Sequence, residues 1–168
     1  VPVAPGTAAG AYRGVKPINQ TMPHVKPFAL QSVSQFPTPA APSLDSAVWA
    51  KELAETAERG GEGRAVSEKE IEIARFHTEP PPRFWTRNLA RFARSQATLA
   101  ENARLMALLW VTQADTLLAC FDAKYRHYRW RPETAIVFKQ AGWKPRLPTP
   151  RHPEYPAAHS CGSAALAQ

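Results

Sequence analysis

The stretch Lys124-Tyr-Arg-His-Tyr-Arg-Trp-Arg131-Pro132 closes the longest apolar run of the chain, which extends from about Leu99 to Phe121. The run predicts a long helix from Leu99 to Tyr125, reaching toward Tyr128. Its early apolar residues fall on nearly every side, the pattern of a helix in the middle of a bundle. Lys124 and Arg131 lie seven residues apart. On a helix that is about two turns, so both leave from one side, roughly 10 Å apart along the axis. Arg brings a planar fork of donors and Lys a compact point charge, and together they can bracket one small oxyanion. Pro132 adds a boundary, because it disfavours helical geometry at Arg131 and suits the first turn of a new helix. The stretch predicts an anion site at a helix junction.

Downstream, a fifth helix is predicted from Glu133 to Gln140 with Ile136 and Val137 inward, closed by Gly142-Trp143. A loop then runs to His152-Pro-Glu-Tyr-Pro-Ala-Ala-His159-Ser, where a proline-set turn opens a last helix near Pro156 or Ala157. The free N–H groups of Ala157, Ala158 and His159 would face whatever lies in front, an arrangement that attracts anions and that the helix dipole reinforces. Small alanines there leave room for an oxyanion. His159 would donate to a ligand oxygen or act as a general acid. A histidine after a proline-rich turn is ordinary when alone; Lys124 and Arg131 give it company.

Upstream, residues 1–45 form a Pro-rich arm dotted with Val15, Ile18, Val25, Phe28, Leu30, Val33 and Phe36. A disordered leader seldom carries so many large apolar residues, so an extended arm packed on the helical body is expected, anchored through Val25-Lys-Pro-Phe28 to Phe36. The first helix is expected over 46–58, capped by Ser43 or Asp45, with Trp49, Leu53 and Ala57 on one stripe. After the glycines 60, 61 and 63, Ser67-Glu-Lys-Glu70 has capping-box spacing and opens a short helix through His77. Ile71, Ala74 and His77 would share its buried side until Pro80-Pro-Pro82 stops it. A third helix begins around Phe84-Trp85-Thr86, with Leu89, Phe92, Ala93 and Gln96 inward and Arg87, Arg91 and Arg94 outward. Asp115 interrupts the apolar surface of the fourth helix and is expected to pair with an arginine or hold a neighbouring helix end. The class is mostly α: an arm over 1–45 and a helical domain over 46–168.

Composition sets the outer bounds. The chain has 168 residues, an apolar fraction of 44%, 17 prolines and a net charge of +7. That charge suits nucleic acid, an anionic surface or an anionic ligand. Tyr125, Tyr128, Trp130 and Trp143 could stack on bases, but no nucleic-acid-binding motif accompanies them, and the same residues suit packing. No charge-free apolar stretch approaches the roughly 18 residues of a membrane span. The start at Val-Pro-Val-Ala-Pro fits a trimmed N-terminus, and residues 160–168 look like a helix just begun, so the chain is expected to end inside a domain. No His, Cys, Asp and Glu constellation stands at metal-ligand spacing. Cys120, one turn before Lys124, and Cys161, just after His159, are expected near each other, where a disulfide is conceivable.

Lys124-x6-Arg131-Pro132 followed by Pro156-Ala-Ala-His159 resembles the vanadium-dependent haloperoxidase and phosphatidic acid phosphatase type 2 superfamily. Glu70-Ile-Glu-Ile-Ala74, Glu101-Asn-Ala-Arg-Leu-Met, Ala114-Asp115, Trp130-Arg-Pro-Glu-Thr-Ala-Ile136 and His152-Pro-Glu-Tyr-Pro156 extend the similarity to its bacterial haloperoxidase-like branch. The resemblance implies a helical bundle in which Lys124 and Arg131 hold the oxygens of vanadate or phosphate. The family's Pro-Ser-Gly-His falls on Ala157, Ala158 and His159. The serine hydroxyl is lost while the Ala158 N–H remains, a change worth roughly 1.5–3 kcal/mol of oxyanion binding. A further Arg and His, the latter the vanadium ligand or phosphorus nucleophile, are absent after His159 and are expected in sequence outside these residues.

What the resemblance implies first is an oxidoreductase that oxidises halide with hydrogen peroxide at protein-held vanadate. The same pocket would alternatively serve a phosphomonoesterase, or an anion-binding scaffold without catalysis. His152 would line the pocket mouth and His127 would support Lys124, while His77 packs. The family expectation for location is secreted or periplasmic, and a homo-oligomer is compatible with it.

Overall fold

A computed structural model of the chain describes residues 5–94 and 98–167, without the side chains of Phe92 and Arg94. Gln96, expected inward on the third helix together with Phe92, lies outside the described residues, as does the side chain of Arg94. The described residues hold six α-helices, one 3₁₀ turn and no strand: α1 Ala47–Arg59, α2 Glu68–Phe76, α3 Pro81–Arg94, α4 Leu99–His127, α5 Pro132–Lys139 and α6 Ala158–Leu166. The 3₁₀ turn, Met22–His24, lies in the N-terminal arm against α4.

Local chemistry explains most boundaries. Ser46, not Ser43 or Asp45, caps α1 by accepting from the Trp49 amide. Ser67 and Glu70 make the expected capping box on α2, and Thr98 with Glu101 makes another on α4. The prolines after α2 do more than end it, because α3 starts at Pro81 and proline suits a first helical turn. The buried side expected of α2 is absent: Ile71 is half-buried, whereas Ala74 and His77 are exposed. On α5, Ile136 is buried but Val137 faces outward.

Two packing centres result. Trp49 and Leu53 of α1 meet Ala135 and Ile136 of α5, with Trp130 and Trp143 filling the gap. The Trp143 indole donates to Ala57 O at 3.0 Å, and the Arg129 guanidinium lies 4.8 Å from the Trp49 ring centroid. The second centre is α4 against α6 and α3. Burial on α4 starts only at Gln113, and Leu99 is 87% exposed with Leu108 and Trp110 also outward. Length explains the departure from the mid-bundle expectation: 29 residues rise about 44 Å, while the nine of α6 rise about 14 Å. Among the described residues α4 is also the one helix long and apolar enough to cross a membrane. Its buried side, however, carries Asp115 and Lys124, both bonded to other parts of this chain.

The arm is held by its backbone. Asp115 takes neither role expected of it, accepting instead from the amides of Phe28, Ala29 and Leu30 at 2.7, 2.7 and 2.9 Å. Burial would raise its pKa, but these three bonds hold the carboxyl below the usual carboxylate range. Of the apolar anchors expected in the arm, Val25, Phe28 and Phe36 are exposed, whereas Pro27 is buried and Leu30 and Val33 are half-buried; Tyr12, further upstream, is buried as well.

Candidate functional site

Lys124 and Arg131 reach one place by a route other than a shared helix face. α4 ends at His127, Tyr128 takes the left-handed conformation at φ 49°, and the chain then runs extended to Arg131, the N-cap of α5. Backbone bonds grip this segment from two sides. Tyr12 N donates to Tyr128 O and Trp130 N to Gly10 O, both at 2.8 Å, while Glu154 N donates to Arg129 O at 3.0 Å. Gly10 makes the approach possible with φ +86°, a conformation that side chains disfavour.

Lys124 is 0% exposed, and its ammonium donates to the carbonyls of Pro153 and Glu154, both at 2.8 Å. Burial pulls its pKa down to about 8, against smaller upward pulls from Cys120 and Glu154. Two of its three N–H donors are thus used by described bonds. Arg131 Nη1 lies 2.7 Å from Glu154 Oε2. The ion pair is short but poorly aligned, and both Arg131 Nε and Glu154 Oε2 are buried without a hydrogen-bond partner.

α6 completes the arrangement. Ala157 is its N-cap and offers no side-chain cap, so the unbonded first-turn amides are those of Ala158, His159 and Ser160, one residue later than expected. Lys124, Arg131, Ala157, Ala158 and His159 all line one cavity of about 420 Å³. Met22 and Ile18 from the arm, Leu117 and Phe121 from α4, and the prolines opening α3 supply its apolar wall. A second cavity of about 440 Å³ shares Arg131 and His159 and extends toward Arg59 and Arg146.

The histidines divide by their bonds. His159 Nε2 is 3.1 Å from Glu79 O; a carbonyl only accepts, so that nitrogen carries the hydrogen and Nδ1 is the free one in the neutral ring. His152 lines the cavity, with Nδ1 bonded to Pro153 O at 3.0 Å, and burial pushes its pKa down to about 4, so it is neutral near pH 7. His127 bonds Thr38 of the arm at 2.8 Å and lies edge-on to Tyr155, whereas the described bonds of Lys124 go to the Pro153 and Glu154 carbonyls. His77 does not pack in a core but lies exposed beside Phe76. Cys120 and Cys161 are free thiols rather than a disulfide, and their mutual hydrogen bond, with burial, keeps the Cys120 proton in place. Glu154 is the site residue that motif reasoning passed over. It is the sole acidic residue after Glu133, a signal legible in the sequence.

No family model matches the chain, and no curated protein matches it. Among solved structures it is similar to one described as the first bacterial vanadium-dependent iodoperoxidase, with a TM-score of 0.72 and 28% identity. The match covers 98% of this chain and 45% of that one, so the chain spans less than half the length of its structural neighbour. The mostly helical architecture is that of the vanadium haloperoxidase-like all-α fold.

Proposed function

We propose that the cavity between Lys124, Arg131 and the start of α6 binds a tetrahedral oxyanion, vanadate, and that the chain contributes this clamp to a haloperoxidase-like oxidoreductase oxidising halide with hydrogen peroxide. The observation that carries the proposal is the meeting of two cations and an uncapped helix start around one cavity. The donor set fits the anion. Arg131 Nε is buried and unbonded, Lys124 keeps one ammonium hydrogen outside the described bonds, and the α6 amides lack acceptors.

Bound vanadate supplies a Lewis-acidic centre at which peroxide becomes a stronger oxidant toward halide. The residues of this chain do the rest. Lys124 and Arg131 neutralise negative charge in a partly dry cavity, where fixed cations act more strongly than in water. The Ala158 amide donates without a side chain's entropy. His159 lies in the first turn; with Nε2 held by Glu79 O, its free Nδ1 is the nitrogen that can take up or release a proton beside the anion. The apolar wall formed by Leu117 and Phe121 limits water.

The test is made on the full encoded protein dialysed against vanadate. Peroxide-dependent oxidation of iodide or bromide, lost in Lys124→Met, is the expected result. Hydrolysis of p-nitrophenyl phosphate without halide oxidation would assign the same clamp to phosphomonoesters, with His159 protonating the leaving oxygen. Activity in neither assay would leave an anion-binding protein without catalysis and overturn the proposal.

A further inference from the structure

Glu154 is the one carboxylate among the residues lining the cavity. It is tied at three points: its amide to Arg129 O, its carbonyl to the Lys124 ammonium, and its carboxylate to Arg131. Orienting the cations does not by itself require an acid, since Lys124 is held by two neutral carbonyls. A carboxylate adds something that an amide would not. Lys124 and Arg131 sum to two positive charges, and Glu154 reduces that sum to one. A singly charged anion then balances the site, whereas a doubly charged one leaves an excess negative charge where water screens poorly.

We infer that Glu154 is a specificity-determining residue that makes the cavity select singly charged tetrahedral oxyanions over doubly charged ones. The inference rests on the oxyanion reading above and concerns which charge state that site takes.

Perrhenate and sulfate separate the charge effect from pH, because both are tetrahedral and their charges are fixed at one and two near neutrality. Binding of each is measured by calorimetry at about pH 7, where Lys124 is mostly charged. Relative to the unaltered chain, Glu154→Gln is expected to raise sulfate affinity about tenfold more than perrhenate affinity. Glu154→Asp keeps the charge and is expected to keep the original ratio. Arg131→Gln removes a cation and is expected to move the ratio the other way, so the inference does not depend on one variant folding. If Glu154 only positions Arg131, Glu154→Gln weakens both anions by the same factor, and the charge-selecting role is overturned while the oxyanion site stands. If the unaltered chain binds neither anion, the oxyanion site itself is refuted and the role of Glu154 falls with it.

Discussion

Lys124→Met isolates the energetic consequence of burying a cation in this fold. The lysine is fully buried, and desolvation lowers its pKa from the ordinary 10.5 to about 8. A difference of that size corresponds to about 3 kcal/mol by which the charged form is disfavoured in the folded state. The folded pKa lies below the unfolded one, so the penalty is fully present below about pH 8. Between there and about pH 10.5 the unfolded chain holds the proton longer, and stability rises with pH across that window. Methionine has neither proton nor penalty. The stability of the unaltered chain minus that of Lys124→Met is therefore expected to climb by about 3 kcal/mol from neutral to alkaline pH. Urea unfolding at stepped pH measures it. Cys120, Cys161, Arg131 and Glu154 also act on Lys124, and the subtraction removes what they contribute in common. The two lost carbonyl bonds shift the curve by a constant without altering its slope. An anion at the site reverses the effect by raising the lysine pKa, so oxyanion binding near pH 8 should take up protons, seen as a buffer-dependent heat. A flat difference curve, or one that falls with pH, would refute the assignment of Lys124 as a buried, strained cation.

Three further outcomes follow from the same geometry. Asp115→Asn removes the charge that holds the arm and should cost about 2–4 kcal/mol, with faster amide exchange at Phe28, Ala29 and Leu30. Because the Asp115 pKa is depressed, its contribution is present above the unfolded value and should vanish as pH falls through the folded one; unchanged exchange in the variant would count against it. Ala157→Ser supplies a hydroxyl at the uncapped start of α6, and should tighten vanadate binding about tenfold while raising the thermal midpoint. Trp49→Ala opens the α1–α5 centre and should destabilise the chain by about 3–5 kcal/mol in denaturant unfolding, a figure under 1 kcal/mol being inconsistent with the burial of Trp49.

The helices were legible because their signals are local. Ser67 and Glu70 announce a capping box in four residues, and Pro132 announces a new helix, expected over Glu133 to Gln140 and found one residue earlier at both ends. What stayed hidden depends on partners distant in sequence. Asp115 offers no clue that its acceptors will serve amides 85 to 87 residues away. The exposed start of α4 reads as buried from its composition, yet burial is decided by the length of its neighbours. The site shows both sides. The seven-residue spacing of Lys124 and Arg131 picked two residues that do line one cavity, but through a helical geometry that the left-handed turn at Tyr128 replaces. The cavity was foreseeable from motifs, but the crosspiece made by Glu154 arises from three contacts that no single stretch encodes.

The central claim is that two cations and a helix start, brought together from separate segments, hold one tetrahedral anion. Crystals soaked in vanadate test it most directly, through the anomalous signal of vanadium. The account predicts one peak inside the cavity, within hydrogen-bond reach of the Lys124 ammonium, the Arg131 guanidinium and the Ala158 amide, and no peak there in Lys124→Met. A peak elsewhere, or an undiminished peak in the variant, would contradict it.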